Sequence, residues 1–273
     1  MLYSDEQTAT IWQQTFAFLL VEQTNNVLTI TLNRAEKKNA LNPTLVSELA
    51  YALSYAHHTA NVWVVVLAAK GSVFCAGADL KAFMQTDDSA STIPLLAEQP
   101  IIGNLFRQLH KPCIARLHAP VYAGGLLLVA GCTHVVATPN VTFALPEVKR
   151  GIFPFQVMQS LVELMPARKV LDWCMRAQTL SVNEAHSYGL VTHLAQNEDH
   201  LDTEIATLAA DICQYSPSAI RMGLTAFDEL RNIPAAEQHQ YLSNMLMQTL
   251  QTEDAMEGIM AFQQKRDPQW KGK

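Results

Sequence analysis

The sequence is poor in charge. Of its 273 residues only 16% are Asp, Glu, Lys or Arg, and the net charge is −6 with no long run of either sign. A nucleic-acid binder carries a basic stripe on one face or helix; none is visible, so nucleic acid is not an expected partner. An anionic small ligand stays open, because a few well-placed lysines act locally against a negative average. The shortage of charge goes with 49% hydrophobic residues, enough to bury a sizeable core, which excludes a disordered chain.

Paired cysteines are missing too. Cys75, Cys113, Cys132, Cys174 and Cys213 are far apart, odd in number and free of C-x-x-C spacing. Neither a disulfide framework nor a zinc site follows; reduced thiols in a cytoplasmic protein are expected. None of the nine histidines forms an H-x-x-x-H pair, and no metal is expected. The N-terminus, MLYSDEQTAT, is acidic at Asp5 and Glu6 and has no basic region, so it does not read as a signal peptide. Long apolar runs are absent. The run over 16–21 is too short to span a bilayer. Residues 119–137 approach that length, but Pro120 and Pro139 flank them and Gly124, Gly125, Gly131, Thr133 and His134 interrupt them. They read as a short buried helix followed by a buried strand, and no membrane partner is expected.

What is present alternates between strand and helix patterns, then becomes helical. Residues 1–15 read as a poorly specified N-terminal extension, 16–198 as the core with the ligand site, and 199–273 as a helical C-terminal region. FAFLLVEQ and VLTITL flank Asn25-Asn26, residues that tolerate positive φ, and predict a hairpin. Asn42 caps a helix with Pro43 at its first position and Leu45, Leu49, Ala52, Leu53 and Ala56 on its apolar face. VWVVVLAA (62–69) predicts a strand buried on both faces. A helix is expected to begin at Asp79, another over about 95–109, and strands at 112–119, 133–138 and 141–144. Ser181 and Glu184 match a capping box before a further helix, with a strand over GLVTHL, and 199–263 predicts three or four amphipathic helices.

Two stretches invite chemistry: CAGAD (75–79) and YAGGL (122–126), each a small-residue turn opening a helix. There, backbone N–H groups lie outside the helix ladder and small side chains let a ligand approach. Facing one another, two such turns hold one oxygen between two N–H donors, an oxyanion hole made without side chains, suited to a thioester carbonyl becoming an enolate. Taken singly, each turn reads as no more than packing of a helix start on a strand. Other enzyme classes fit poorly: AGGLLLVAG lacks G-x-G-x-x-G spacing, and no G-x-S-x-G occurs.

The order and spacing of LNRAEKKNALN (32–42), GSVFCAGADLKAF (71–83), KPCIARLHAPVYAGG (111–125), FALPEVKRGIFP (143–154), LSVNEAHSYGLV (180–191) and FQQKRDPQWKGK (262–273) resemble the crotonase family, the enoyl-CoA hydratase/isomerase superfamily. The resemblance covers nearly everything after the first dozen residues. It implies an α/β fold, a spiral of ββα units with a helical C-terminal region used in trimerisation, and a homotrimer or dimer of trimers. It implies acyl-CoA thioesters as ligands and no separate cofactor, since coenzyme A is part of the substrate. It places the oxyanion hole on the N–H groups of Ala78 and Gly124, and the adenine and phosphate end of CoA near Lys37, Lys38, Ala40 and Lys81, with Lys265 and Lys271 adding charge from the tail. Each lysine alone reads equally well as a solvated face.

Two-carboxylate hydratases of that family place a glutamate three positions after the glycine matching Gly124; here the residue is Leu127. The family's second glutamate matches Glu147, which by itself also reads as a first-turn helix acid after Pro146. One carboxylate suits movement of a double bond from the 3- to the 2-position, because a single base removes the α-proton and returns it at the γ-carbon. The expectation therefore leans to 3-enoyl-CoA isomerisation. The alternatives are a 2-enoyl-CoA hydratase, including branched or methylglutaconyl-type substrates, and a non-catalytic acyl-CoA-binding member. Thr133 stands where the family often has aspartate. Leu127, Phe153 and Phe155, with Met158 and Trp173, are expected to line the acyl pocket, although ordinary core packing explains any one of them.

Overall fold

The computed structural model describes residues 2–82, 90–94, 96, 98 and 100–273. In chain order the elements are α1 (Asp5–Thr8), β1 (Leu19–Thr24), β2 (Val27–Leu32), α2 (Pro43–His58), β3 (Val64–Ala69), α3 (Ile102–Arg107), β4 (Cys113–Leu117), β5 (Val121–Tyr122), α4 (Gly125–Gly131), β6 (His134–Ala137) and β7 (Thr142–Ala144). They continue with α5 (Phe155–Leu161), α6 (Ala167–Arg176), β8 (Thr179–Ser181), α7 (Val182–Ser187), β9 (His193–Leu194), α8 (Glu198–Cys213), α9 (Pro217–Glu229), α10 (Gln238–Thr249) and α11 (Glu253–Gln264). The helix expected over about 95–109 is seen as α3. Positions 95, 97 and 99, and the continuation from Phe83 of the helix expected at Asp79, lie outside the described residues.

Local signals set most of the early elements. β1 and β2 pair antiparallel from Leu19↔Leu32 to Thr24↔Val27, and Asn25 takes the left-handed conformation at φ 52°. The Asn42 side chain accepts the Leu45 N–H at 2.9 Å and Pro43 opens α2, as the capping pattern predicts. Every residue of α2 from Thr44 to Ala56 is buried, so the helix has no solvent face. Its buried Glu48 is satisfied by the N–H groups of Ala17 (2.6 Å) and Phe18 (2.9 Å), which dock the entry to β1. The capping box at Ser181 and Glu184 forms as expected.

The larger sheet has the order β1-β2-β3-β4-β6-β9, parallel beyond the first pair; the smaller has the order β5-β7-β8. Each turn of the chain gives one strand to the large sheet and one short segment to the small one: β4 then β5, β6 then β7. After β3 the segment is reduced to Cys75, bridged to Val121. This is the spiral of ββα units that the resemblance implies. β3 is buried along its whole length. Val65 and Leu67 face the main core, while Val64 and Val66 pack under Leu201, Ile205 and Ala209 of α8. At the strand starts, the Thr133 hydroxyl bonds both the N–H and the carbonyl of Cys113, and Thr192 does the same to Val135.

Three expectations change. The N-terminal segment is packed: Tyr3, Thr8 and Ile11 are buried, and the Tyr51 hydroxyl donates to Gln7 O. Pro146 opens only a single 3-10 turn, Glu147–Arg150, instead of an α-helix. GLVTHL gives two strand residues. Four helices, α8 to α11, make the C-terminal region. The tail returns onto Asp254, whose carboxylate accepts N–H bonds from Lys271 (2.8 Å) and Gly272 (3.2 Å). Leu246, Met247, Leu250, Met256, Ile259, Met260 and Phe262 are exposed on α10 and α11 in the single chain. Among the described residues no helix is long and apolar enough to cross a membrane.

Where α2 ends, His57 is half-buried against α9. Burial brings its imidazole down to about 4, against the bond to Leu109 O and with help from the facing Arg221, His58 and His110. An unfolded histidine titrates near 6.5, at about that value, so the unfolded chain binds more protons than the folded one between the two values. This stability is complete above about pH 6.5 and is lost as pH falls toward 4. As pH falls from about 7.5 to 5, the unfolding free energy measured in urea is expected to drop by on the order of 1 kcal/mol more in the wild type than in His57→Gln, allowing for partial exposure; equal losses would contradict the assignment.

Candidate active site

The smaller sheet ends where the two small-residue turns meet. The Phe74 N–H donates to Pro120 O and the Tyr122 N–H to Cys75 O, both at 2.9 Å, which lays one turn along the other. Gly125 then packs directly on Cys75: a β-carbon there would lie 2.8 Å from both the Cys75 carbonyl oxygen and its β-carbon. Gly77 has φ +87°, and a β-carbon on it would lie 2.6 Å from the Ala123 β-carbon and 2.9 Å from the Gly124 nitrogen. Ala123 itself is left-handed, at φ 50°, a conformation that costs a non-glycine residue energy and persists where the surroundings over-determine it.

These contacts bring the two sequence-predicted donors together. A β-carbon built on Gly124 would lie 3.6 Å from the Ala78 nitrogen. Neighbouring amides are used: Asp79 N–H donates to Leu41 O and Ala123 N–H to Ala144 O, both at 2.9 Å. Among the described residues neither the Ala78 N–H nor the Gly124 N–H donates to any protein acceptor. Two adjacent, unspent backbone donors can stabilise negative charge developing on one oxygen.

Glu147 arrives through β7. Ala144 pairs with Tyr122, so the chain that leads to Glu147 leaves the sheet beside the Gly124 turn. Glu147 is 8% exposed, and its Oε2 is buried with no hydrogen-bond partner among the described residues. Burial raises its carboxyl above the ordinary range, with its own backbone N–H and Arg150 opposing. On α6 the buried Cys174 thiol is raised to about 11 by burial and by the Glu147 charge. Leu127 is 5% exposed in the first turn of α4 and supplies no proton-transfer group.

Val148, Gly151, Ile152, Phe153 and Phe155 line an open cavity of about 680 Å³ next to the Glu147 turn. The rings of Phe153 and Phe155 are 5.1 Å apart and tilted by 50°, and Phe155 is exposed. Trp173 does not join them: it is core, its indole N–H bonded to Gln178 O. Neither this cavity nor two others is lined by Ala78, Gly124 or Glu147, but this one adjoins the turn that carries Glu147. Of the two others one, of about 920 Å³, lies between the outer sheet face and α8; the second, of about 450 Å³, lies among α3, α4, α5 and α9. Unpaired donors and a buried, unpartnered carboxylate oxygen weigh more than volume in locating chemistry, so the Ala78–Gly124–Glu147 region is the candidate site.

Lys37, Lys38, Ala40 and Lys81 gather on the loops flanking the Ala78 turn, with all three lysines exposed. Lys265 ends α11, which packs on α9, and no hydrogen bond or ion pair among the described residues joins it to those loops within one chain. Sequence reasoning missed Arg34 and Asn39. Asn39 is fully buried at φ 52°. Its side chain accepts the Arg34 N–H (2.9 Å) and donates to Lys70 O (2.8 Å) and Val73 O (2.9 Å). The only available signal was asparagine's tolerance of the left-handed conformation.

A family model described as Enoyl-CoA hydratase/isomerase matches residues 22–273. A probable enoyl-CoA hydratase of Mycobacterium tuberculosis is 30% identical over 258 residues, covering 94% of this chain and 98% of the relative. The mevalonyl-coenzyme A hydratase sidH of Aspergillus fumigatus is 29% identical over 252 residues, covering 91% and 92%. The crystal structure of enoyl-CoA hydratase from Mycobacterium tuberculosis H37Rv matches with a TM-score of 0.82 at 31% identity, over 94% of this chain and 100% of that one.

The turn geometry makes a prediction. Gly77 and Gly151 both have positive φ, but a β-carbon at Gly151 meets nothing within 4 Å. Gly77→Ala is therefore expected to destabilise by about 1–3 kcal/mol more than Gly151→Ala, the overpacking cost alone. Thermal or urea unfolding of the two variants measures it, and equal losses would contradict the close approach.

Proposed function

The chain belongs to the enoyl-CoA hydratase/isomerase family, and on that premise we propose that it moves the double bond of a 3-enoyl-CoA thioester to the 2-position. Glu147 is the single base and acid, and the N–H groups of Ala78 and Gly124 hold the enolate oxygen. The observation that carries this reading is one buried carboxylate with an unpartnered oxygen at Glu147, with aliphatic Leu127 where a second carboxylate would stand.

Glu147 takes the α-proton, and the C–H electron pair flows toward the thioester carbonyl. The charge gathers on the carbonyl oxygen between the two N–H donors, each contributing about 3 kcal/mol in the transition state. The γ-carbon of the resulting dienolate then takes the proton back from Glu147, leaving the double bond between the α- and β-carbons. Burial raises the carboxyl's affinity for that proton, which suits a group that both accepts and donates it near neutral pH. Hydration divides its work between a water-activating group and a proton donor, and Leu127 supplies neither. Proton transfer alone needs no cofactor; CoA enters with the substrate. Lys37, Lys38, Ala40 and Lys81 are assigned to its nucleotide end, with Lys265 supplied from a neighbouring subunit. Phe153, Phe155 and Leu127 are assigned to the acyl group.

The exposed apolar residues of α10 and α11 support assembly as a homotrimer or a dimer of trimers. The five free thiols support a reducing compartment such as the cytoplasm. A second reading, 2-enoyl-CoA hydration, is favoured by the hydratase names of the relatives.

Purified protein offered a 3-enoyl-CoA is expected to gain conjugated-thioester absorbance and, offered a 2-enoyl-CoA, to show no loss. Loss with the second substrate and formation of a 3-hydroxyacyl-CoA would establish the hydratase reading instead. Glu147→Gln is expected to lower kcat by at least about 100-fold while leaving acyl-CoA affinity within about threefold; retained turnover would remove Glu147 from its role.

A further inference from the structure

Asp79 follows Ala78 directly and is not one of the groups assigned to proton transfer or to CoA. Its carboxylate is held from the far side of the loop. Arg34 Nη1 donates to Asp79 Oδ2 at 2.8 Å and to Ala40 O at 2.9 Å. The guanidinium is buried, stacks 5.2 Å from the centre of the Phe18 ring, and leaves its Nε without a partner among the described residues. The pair is half-buried, Arg34 being enclosed and Asp79 partly open to solvent, and such a pair adds little to stability, so its placement calls for another explanation. The Asp79 carboxyl is held below the usual range by the Arg34 bond, with Lys37 adding to it.

The bonds around this pair form a clamp. Ala76 N–H donates to Lys38 O (3.0 Å), Leu41 N–H to Gly77 O (2.8 Å) and Asp79 N–H to Leu41 O (2.9 Å). The Gly77 carbonyl and the Ala78 N–H belong to one planar trans peptide, so fixing the carbonyl fixes the direction of the N–H. Leu41 thus grips the peptide on each side of Ala78. Arg34 in turn grips both strands of the clamp, through Ala40 O on one and the Asp79 carboxylate on the other. Lys37 and Lys38 stand on the first strand.

We propose that Arg34 and Asp79 are positioning residues that aim the Ala78 N–H at the thioester oxygen, tying that aim to the loop that carries Lys37 and Lys38. The inference rests on the reading of Ala78 as an oxyanion donor. Loss of the pair leaves the 77–79 peptides held by the Leu41 bonds alone and loosens their aim, without removing any group that touches substrate. The donor is then misdirected when charge develops, while the CoA end still binds.

The test compares wild type, Asp79→Ala, Asp79→Asn and Arg34→Lys by three readouts: turnover, affinity for free coenzyme A, and the enolate absorbance of bound acetoacetyl-CoA, an enolisable 3-ketoacyl thioester. Asp79→Ala is expected to lower kcat by about 30- to 100-fold and the enolate band by more than about fivefold, with KM and coenzyme A affinity within about twofold. Asp79→Asn keeps an acceptor oxygen for Arg34 and is expected to recover at least about a third of the lost signal. A merely structural role would lower kcat and the band only with the folded fraction. A folded Asp79→Ala within about twofold of wild type in kcat and enolate band overturns the proposal. Should Asp79→Ala not fold, the same result for Arg34→Lys does so. A wild type that binds acetoacetyl-CoA without any enolate band contradicts the oxyanion reading, and the positioning role with it; a normal wild-type band with unaffected variants removes the positioning role alone.

Discussion

In the proposed reading two backbone N–H groups must stay unspent while their neighbours are bonded, and that constraint organises the chain around them. The amides of Ala76, Asp79, Tyr122 and Ala123 all donate to named carbonyls; among the described residues those of Ala78 and Gly124 do not. Ala78 is exposed and Gly124 half-buried, and the two donors stay free of protein acceptors where the surrounding chain has no freedom to satisfy them. The clamp at Leu41 and the glycine contacts at Gly77 and Gly125 remove that freedom. The spiral of strands serves the same end, because each turn delivers one more short segment to the small sheet on which Val121, Phe143 and the Cys75 bridge are aligned.

A backbone oxyanion site needs no titrating side chain, so proton transfer must be brought in separately. In the proposed reading the β7 pairing does this with one buried carboxylate, Glu147. Burial raises the proton affinity of Glu147, and in that reading Leu127 leaves it as the only acid or base supplied by the family's two carboxylate positions. On the same reading the choice between isomerisation and hydration turns on a single side chain in the first turn of α4.

Much of this was legible where the determining contacts are close in sequence. The Asn25 turn, the Asn42–Pro43 cap and the Ser181–Glu184 capping box are set within a few residues, and the run over β3 has no reading other than burial. Long-range docking was not legible. Tyr3 is buried by a bond to Pro94 and by packing on Tyr51, neither of which leaves a mark on the first fifteen residues. Arg34 and Asp79 are separated by 45 positions, and nothing in LNRAEKKNALN distinguishes Arg34 from a solvated cation. Glu147 was identified through family resemblance; its local pattern fits a helix start equally well, and the structure has a 3-10 turn there. The donor pair was suggested by small residues in two turns, but only the fold brings those turns together.

The most direct test follows a proton. A 3-enoyl-CoA carrying deuterium at its α-carbon is turned over in ordinary water, and the product is analysed by mass spectrometry and NMR for label at the γ-carbon. A single, nearly sealed carboxylate that lifts the proton and returns it predicts a clear share of product with deuterium at the γ-carbon. A γ-hydrogen drawn wholly from solvent, together with addition of water at the β-carbon, would contradict the one-carboxylate account.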